Sequence, residues 1–108
     1  MEFKPLVYLA GPVRGDRINI VYENIQRARE WACFLWEVGF AVFCPHLNTA
    51  FMDGIVEDEV FLEGDLNILS RCDTIFVLPG WEDSQGTIGE IGEALKMGIP
   101  IYFMEKWI

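Results

Sequence analysis

Apolar residues fall along the chain in two alternating rhythms, short continuous runs and longer stretches at helical spacing. Leu6 to Ala10 is a nearly continuous apolar run ending at Gly11-Pro12, the pattern of a strand buried on both faces of a parallel sheet. From Asn19 the period lengthens. Val21, Ile25, Ala28, Ala32 and Leu35 recur at helical spacing, and Gly39 supplies the stop. Phe40 to Cys44 reads as a second strand closed by Pro45, and residues 45–56 as a loop with Asn48, Asp53 and Gly54 as turn formers. A helix is predicted over Glu57–Ser70, with Gly64 as its weak point, and a third buried strand over Thr74–Leu78. Residues 79–86 form a polar turn, Thr87–Met97 a helix closed by Gly98, and Ile99–Met104 the last strand. Pro100 cannot donate to a ladder, so this strand lies at a sheet edge or starts at its proline.

Strand–helix alternation predicts an α/β fold, an open parallel sheet with helices on both faces joined by right-handed crossovers. The natural strand order is 2-1-3-4, which puts the proline-containing strand at an edge and the reversal of winding between strands 1 and 3. Ligands in such sheets bind at the carboxyl ends of the strands beside that reversal. Two loops meet there, Gly11–Ile18 and Pro79–Gly86.

Composition narrows the field. A length of 108 residues is one domain, spanning 1–108, and 52% hydrophobic residues suffice for one core, which excludes disorder. The net charge of −9 disfavours a nucleic acid polymer as partner, although a small anion can bind at a local positive site. Cys33, Cys44 and Cys72 are odd in number and show no CxxC spacing, which points to a reducing compartment. With His46 the only histidine, a three-histidine zinc site and a Cys/His finger are excluded within one chain. No apolar run approaches the roughly 20 residues of a membrane span, and residues 1–5 lack a secretory pattern. The expectation is a soluble, cytoplasmic protein with no membrane partner.

The first loop, Gly11-Pro12-Val13-Arg14-Gly15-Asp16-Arg17, combines close-approach glycines with guanidinium groups suited to phosphate or carboxylate. It reads equally as a turn with solvated arginines. In the second loop Ser84 is an N-cap candidate ahead of a helix whose Gly86, Gly89 and Gly92 fall three apart. These glycines serve either close helix–sheet packing or room for a ligand beside Glu90. Glu90 and Asp65 each read as solvated surface or as pocket acids, and His46 as a turn histidine or part of the mouth. Tyr8 is a phenol inside an apolar strand, and a buried hydroxyl needs a partner. There is no Walker loop, GxSxG elbow or Asp-rich metal cluster. The carboxylates, tyrosine, serine and arginines that remain suit cleavage of a bond to a sugar carbon.

At these residues the chain resembles the nucleoside 2-deoxyribosyltransferase superfamily, and within it the small phage and bacterial branch similar to 2′-deoxynucleoside 5′-monophosphate N-glycosidases. The resemblance runs from Val7 to Phe103 and is carried by residues 7–15 (VYLAGPVRG), 63–66 (EGDL), 71–73 (RCD) and 84–92 (SQGTIGEIG). It implies a flavodoxin-like or Rossmann-like three-layer domain with four or five strands. It further implies cleavage of an N-glycosidic bond by hydrolysis or deoxyribosyl transfer, with Glu90 as nucleophile, Tyr8 positioning it, and Asp65 assisting the departing base. Ser84, Gly11, Arg14 and Gly15 match the surroundings of the sugar phosphate, with Pro12, Gly86 and His46 beside them. Pro12 stands where the monophosphate hydrolases carry a phosphate-binding serine, so its side chain cannot make that contact. The resemblance implies a nucleoside or nucleotide substrate, a homodimer, and no cofactor or metal. Trp31, Phe34 and Trp36 are candidates for an aromatic contact or for core packing. The alternative is a catalytically inactive nucleotide-binding or sensing module of the same fold.

Overall fold

A computed structural model describes residues 2–108. In chain order the elements are β1 (Leu6–Ala10), α1 (Ile18–Val38), β2 (Ala41–Phe43), α2 (Pro45–Asn48), α3 (Asp58–Leu69), β3 (Thr74–Val77), α4 (Gln85–Met97) and β4 (Ile101–Phe103). The four strands form one parallel sheet in the order β2-β1-β3-β4, as the sequence pattern predicts. β1 lies inside the sheet, with Tyr8 level with Phe43 on one side and Ile75 on the other.

Alternation along β1 sends its residues to two different cores. Val7 and Leu9 pack with Ala28, Ala32 and Leu35 of α1, together with Cys44 and Leu78. Tyr8 and Ala10 turn the other way and join Leu69, Cys72, Ile75, Val77 and Ala94 beneath α3 and α4. The layers are therefore α1, sheet, and α3 with α4. Residues 28, 32 and 35 are one helical stripe, and α1 stops where Gly39 enters the left-handed region at φ 113°, its N–H meeting the Leu35 and Trp36 carbonyls.

The differences from the predicted elements lie at boundaries. Residues 45–56 are not all loop, because Pro45 starts a one-turn helix and the Cys44 carbonyl accepts the Leu47 and Asn48 N–H groups. The 79–86 turn contains a 3-10 turn at Trp81–Asp83, and α4 begins two residues early because Ser84 caps it. β4 is confined to 101–103, since Pro100 lies just ahead of it and offers its carbonyl to the Ile75 N–H and the Thr74 hydroxyl. Beyond β4, Met104 and Trp107 fold back onto the α1 core. There the Trp31 indole N–H donates to the Lys106 carbonyl at 3.1 Å, and the Arg27 guanidinium sits 5.2 Å from the Trp107 ring. Trp31 is thus spent within the chain, while Phe34 and Trp36 stay exposed. Among the described residues no helix is long and apolar enough to cross a membrane.

Candidate active site

The site grows from one residue, Tyr8. Its backbone belongs to an interior strand, so its ring is fully buried and packs 5.4 Å from Phe43. A buried phenol needs a hydrogen-bond partner, and the only side of the sheet it faces is the α3/α4 side. There its hydroxyl donates to Oε2 of Glu90, the residue of α4 that hangs over the sheet. Glu90 is half-buried, and so is Asp65 of α3. The charge of Asp65 acts on both Tyr8 and Glu90, raising the pKa of each, which brings the three groups into one electrostatic cluster.

Burial dominates the ionisation of all three. Glu90 is pushed up to about 7 by desolvation; the Tyr8 hydrogen bond pulls it down, and Asp65 pushes it further up. Asp65 rises to about 6 through desolvation. The Tyr8 phenol is held far above its ordinary range by burial and then by the Glu90 charge, so it stays a donor at any working pH. Two acids with raised pKa values beside a fixed phenol donor can hold a nucleophilic carboxylate and a proton source together near neutrality.

The glycines of α4 bear on access. A Cβ built on Gly86, Gly89 or Gly92 meets nothing within 4 Å, and the same is true of Gly64 beside Asp65. The close-packing reading of these glycines therefore does not hold. Gly86 lies one helical turn ahead of Glu90, with open space where a side chain would stand. Gly11 and Gly15 are different. Side chains there would fall 2.8 Å from Leu78 Cβ and 2.4 Å from Ile20 Cγ2, so packing within the chain explains both.

The remaining candidates separate into those near the mouth and those absorbed by the fold. Ser84 caps α4 and pairs with Thr87. Arg14 is exposed and pairs with Asp58 at 2.8 Å, which ties the first loop to the start of α3. His46 is buried with both ring nitrogens engaged, Nε2 2.9 Å from the Pro12 carbonyl and Nδ1 3.5 Å from Cys44 Sγ. A carbonyl only accepts, so Nε2 carries the proton and Nδ1 takes the thiol hydrogen. Burial lowers the histidine pKa, in keeping with a neutral ring that braces Pro12. The ring of Pro12 in turn lies over Gly80 of the second loop. His46 is thus a brace between the two loops and has no free nitrogen for a ligand. Burial pushes the Cys44 and Cys72 thiols up to about 12 and about 11, which removes both as nucleophiles at neutral pH. Asp73 of the 71–73 segment is structural, exchanging hydrogen bonds with the backbone of Leu6. The pairing of Thr87 with Ser84 and of Cys44 with His46 escaped the sequence reading; the Ser-x-x-Thr spacing at the start of α4 was the available signal for the first.

The fold is shared with solved structures that include a 2-deoxyribosyltransferase and a CMP N-glycosidase. The chain itself belongs to the family described as a domain of unknown function, DUF4406, whose match spans residues 5–103. Among solved structures it is similar to the 2-deoxyribosyltransferase of Bacillus psychrosaccharolyticus, with TM-score 0.64, 21% identity, and coverage of 91% of this chain and 70% of that one. It is also similar to the Clostridium botulinum CMP N-glycosidase BcmB, with TM-score 0.65, 24% identity, and coverage of 91% and 69%. A conserved protein from Enterococcus faecalis V583 gives TM-score 0.67 at 20% identity, with 93% of this chain matched to 62% of that one. No curated protein matches the chain by sequence.

Proposed function

We propose that this chain cleaves the N-glycosidic bond of a 2′-deoxynucleoside or its 5′-monophosphate, with Glu90 as nucleophile. The observation that carries the reading is the Tyr8–Glu90 hydrogen bond on the α3/α4 face of the sheet, with the Asp65 charge acting on both groups. Two similar structures of this fold, a 2-deoxyribosyltransferase and a CMP N-glycosidase, support the same class of bond.

In this mechanism the ionised Glu90 attacks C1′ as the bond to the base nitrogen breaks. The positive charge of the oxocarbenium-like centre is balanced by the carboxylate. With Glu90 raised to about 7 and Asp65 to about 6, the reactive form (Glu90 ionised, Asp65 protonated) is the minor arrangement of the one proton the pair shares. From it Asp65 gives that proton to the departing base. Tyr8 holds one Glu90 oxygen, fixing the rotamer so that the other faces the sugar. Water attacking C1′ of the glycosyl–enzyme ester completes hydrolysis, while a second base in its place gives deoxyribosyl transfer. Ser84 and Arg14 favour a 5′-monophosphate, and with it hydrolysis. A homodimer in the cytoplasm remains part of the proposal, with light scattering as the check on assembly.

The test is a chromatographic screen of nucleosides and monophosphates with and without an acceptor base. Free base released from at least one substrate, and lost in both Glu90→Gln and Glu90→Ala, is the expected result. Turnover surviving in both variants removes Glu90 from the mechanism. Saturable nucleotide binding with no base released over long incubation replaces the enzyme with a binding module.

A further inference from the structure

Asn24 is a polar residue in the interior of α1, where asparagine is a weaker helix former than leucine or alanine. Its side chain reaches out of the helix: Nδ2 donates to the Val13 carbonyl of the first loop at 3.1 Å. One residue earlier, the Pro12 carbonyl takes the Nε2–H of His46 from α2, which itself packs on α1. Two successive carbonyls of this loop are therefore held by side chains, and the bonds fix the peptide planes that carry them. In a trans peptide the N–H points opposite to the C=O, and among the described residues no peptide is cis. The Arg14 N–H is thus turned away from α1, and the Val13 N–H away from His46. Neither meets an acceptor among the described residues. α1 covers the Val7 and Leu9 face of the sheet, whereas Tyr8 meets Glu90 on the other. The Arg14 N–H accordingly turns toward the side that holds the acid cluster, and the Arg14 side chain goes the same way, to Asp58 of α3.

Resting on the proposed nucleotide reading, we infer that Asn24 is a positioning residue: it aims the backbone of the first loop so that the Val13 and Arg14 N–H groups donate to the substrate. The 5′-phosphate on this loop belongs to that reading; what is new is the residue that aims the loop. Pro12 has neither a hydroxyl nor an N–H to offer, and the two fixed amides after it are the donors that the loop still presents. Holding them in place before the substrate arrives lowers the ordering cost of binding. Asn24 therefore acts on binding and leaves the bond-breaking step to Glu90.

The probe is 2-deoxyribose 5-phosphate, titrated into the isotope-labelled full chain and followed by amide NMR, which reads the affinity and the Val13 and Arg14 amides together. In the unaltered chain both amide protons are expected to move downfield and saturate. Asn24→Leu removes the donor at nearly constant size and suits the helix better, so a weakened α1 does not explain its effect. It should weaken binding roughly three- to tenfold, the worth of one hydrogen bond, and reduce the Arg14 shift at saturation. Asn24→Ala reads the same loss should leucine pack badly against the loop. Unchanged affinity and an unchanged Arg14 shift in both variants overturn the role of Asn24 and leave the nucleotide reading intact. Weaker binding with the Arg14 shift preserved marks general loosening and overturns that role too. No movement of either amide in the unaltered chain, or no binding, overturns the contact with this loop. The base-release screen judges the glycosidic chemistry separately.

Discussion

On one side of the sheet β1 gives Val7 and Leu9 to a cluster closed by α1, apolar throughout. On the other side the same strand gives Tyr8, and the helices above it bring Asp65, Glu90 and a row of glycines whose missing side chains nothing fills. The α1 side follows what burial favours. The α3/α4 side departs from it, with two carboxyl groups raised toward neutrality and helix glycines that alanine would improve on propensity alone. Such departures from local consistency concentrate where a protein binds and reacts. The lesson lies in the pairing: adjacent residues of one strand divide the labour, Leu9 holding the fold and Tyr8 holding a carboxylate.

Substitutions on the two sides should separate accordingly. On the proposed mechanism Glu90→Gln is expected to lower base release by roughly 10³-fold or more, because it removes the attacking carboxylate. Its effect on stability has the opposite sign. The Glu90 carboxyl is raised from its ordinary 4.5 to about 7 in the folded chain, so the folded state binds that proton more tightly than the unfolded one. The stability it contributes is whole below about pH 4.5 and gone once pH has passed through about 7. Glu90→Gln should therefore melt above the parent at pH 8 and level with it at pH 4, by calorimetry at both values. A variant that melts lower at pH 8 breaks the contrast between the two faces.

Leu9→Ala, on the α1 side, should cost about 2–5 kcal/mol in urea unfolding while the folded fraction keeps its turnover. Next in size, Tyr8→Phe is expected to reduce turnover by about ten- to a hundredfold, the worth of a hydrogen bond to a charged group. Because that bond holds the Glu90 pKa down, the acid limb of the pH–rate profile should move to higher pH. An unmoved limb disconnects the phenol from the nucleophile. Gly86→Ala should leave stability unchanged or raise it by up to about 1 kcal/mol, yet weaken substrate binding, as both melting and titration can read. Smallest of all, Asp58→Asn breaks an exposed ion pair with Arg14 and should change stability by no more than about 1 kcal/mol.

Much of this contrast is legible in the sequence. The apolar run 6–10 fixes β1 to the residue, and the order of the strands follows from alternation and Pro100. Tyr8 stands out as a phenol in such a run, and once the order is known its parity along β1 assigns it to the face of α3 and α4. Contacts between distant segments were not legible. Nothing in residues 44–46 announces that a buried imidazole will grip Pro12, and nothing in Arg14 announces Asp58. The one-turn helix at 45–48 hides because it is too short for its own period. The glycines at 86, 89 and 92 pose the subtlest case, since packing and access leave the same mark in a sequence and only the surrounding space tells them apart.

The most direct test of the central claim is to trap the ester on Glu90. A substrate nucleoside carrying fluorine at C2′ slows breakdown of a glycosyl–enzyme, and intact-mass spectrometry followed by peptide mapping reads the adduct. One fluorinated sugar on the peptide containing Glu90, absent in Glu90→Gln, is the predicted result. Base release from that analogue with a sugar found on another residue contradicts the account.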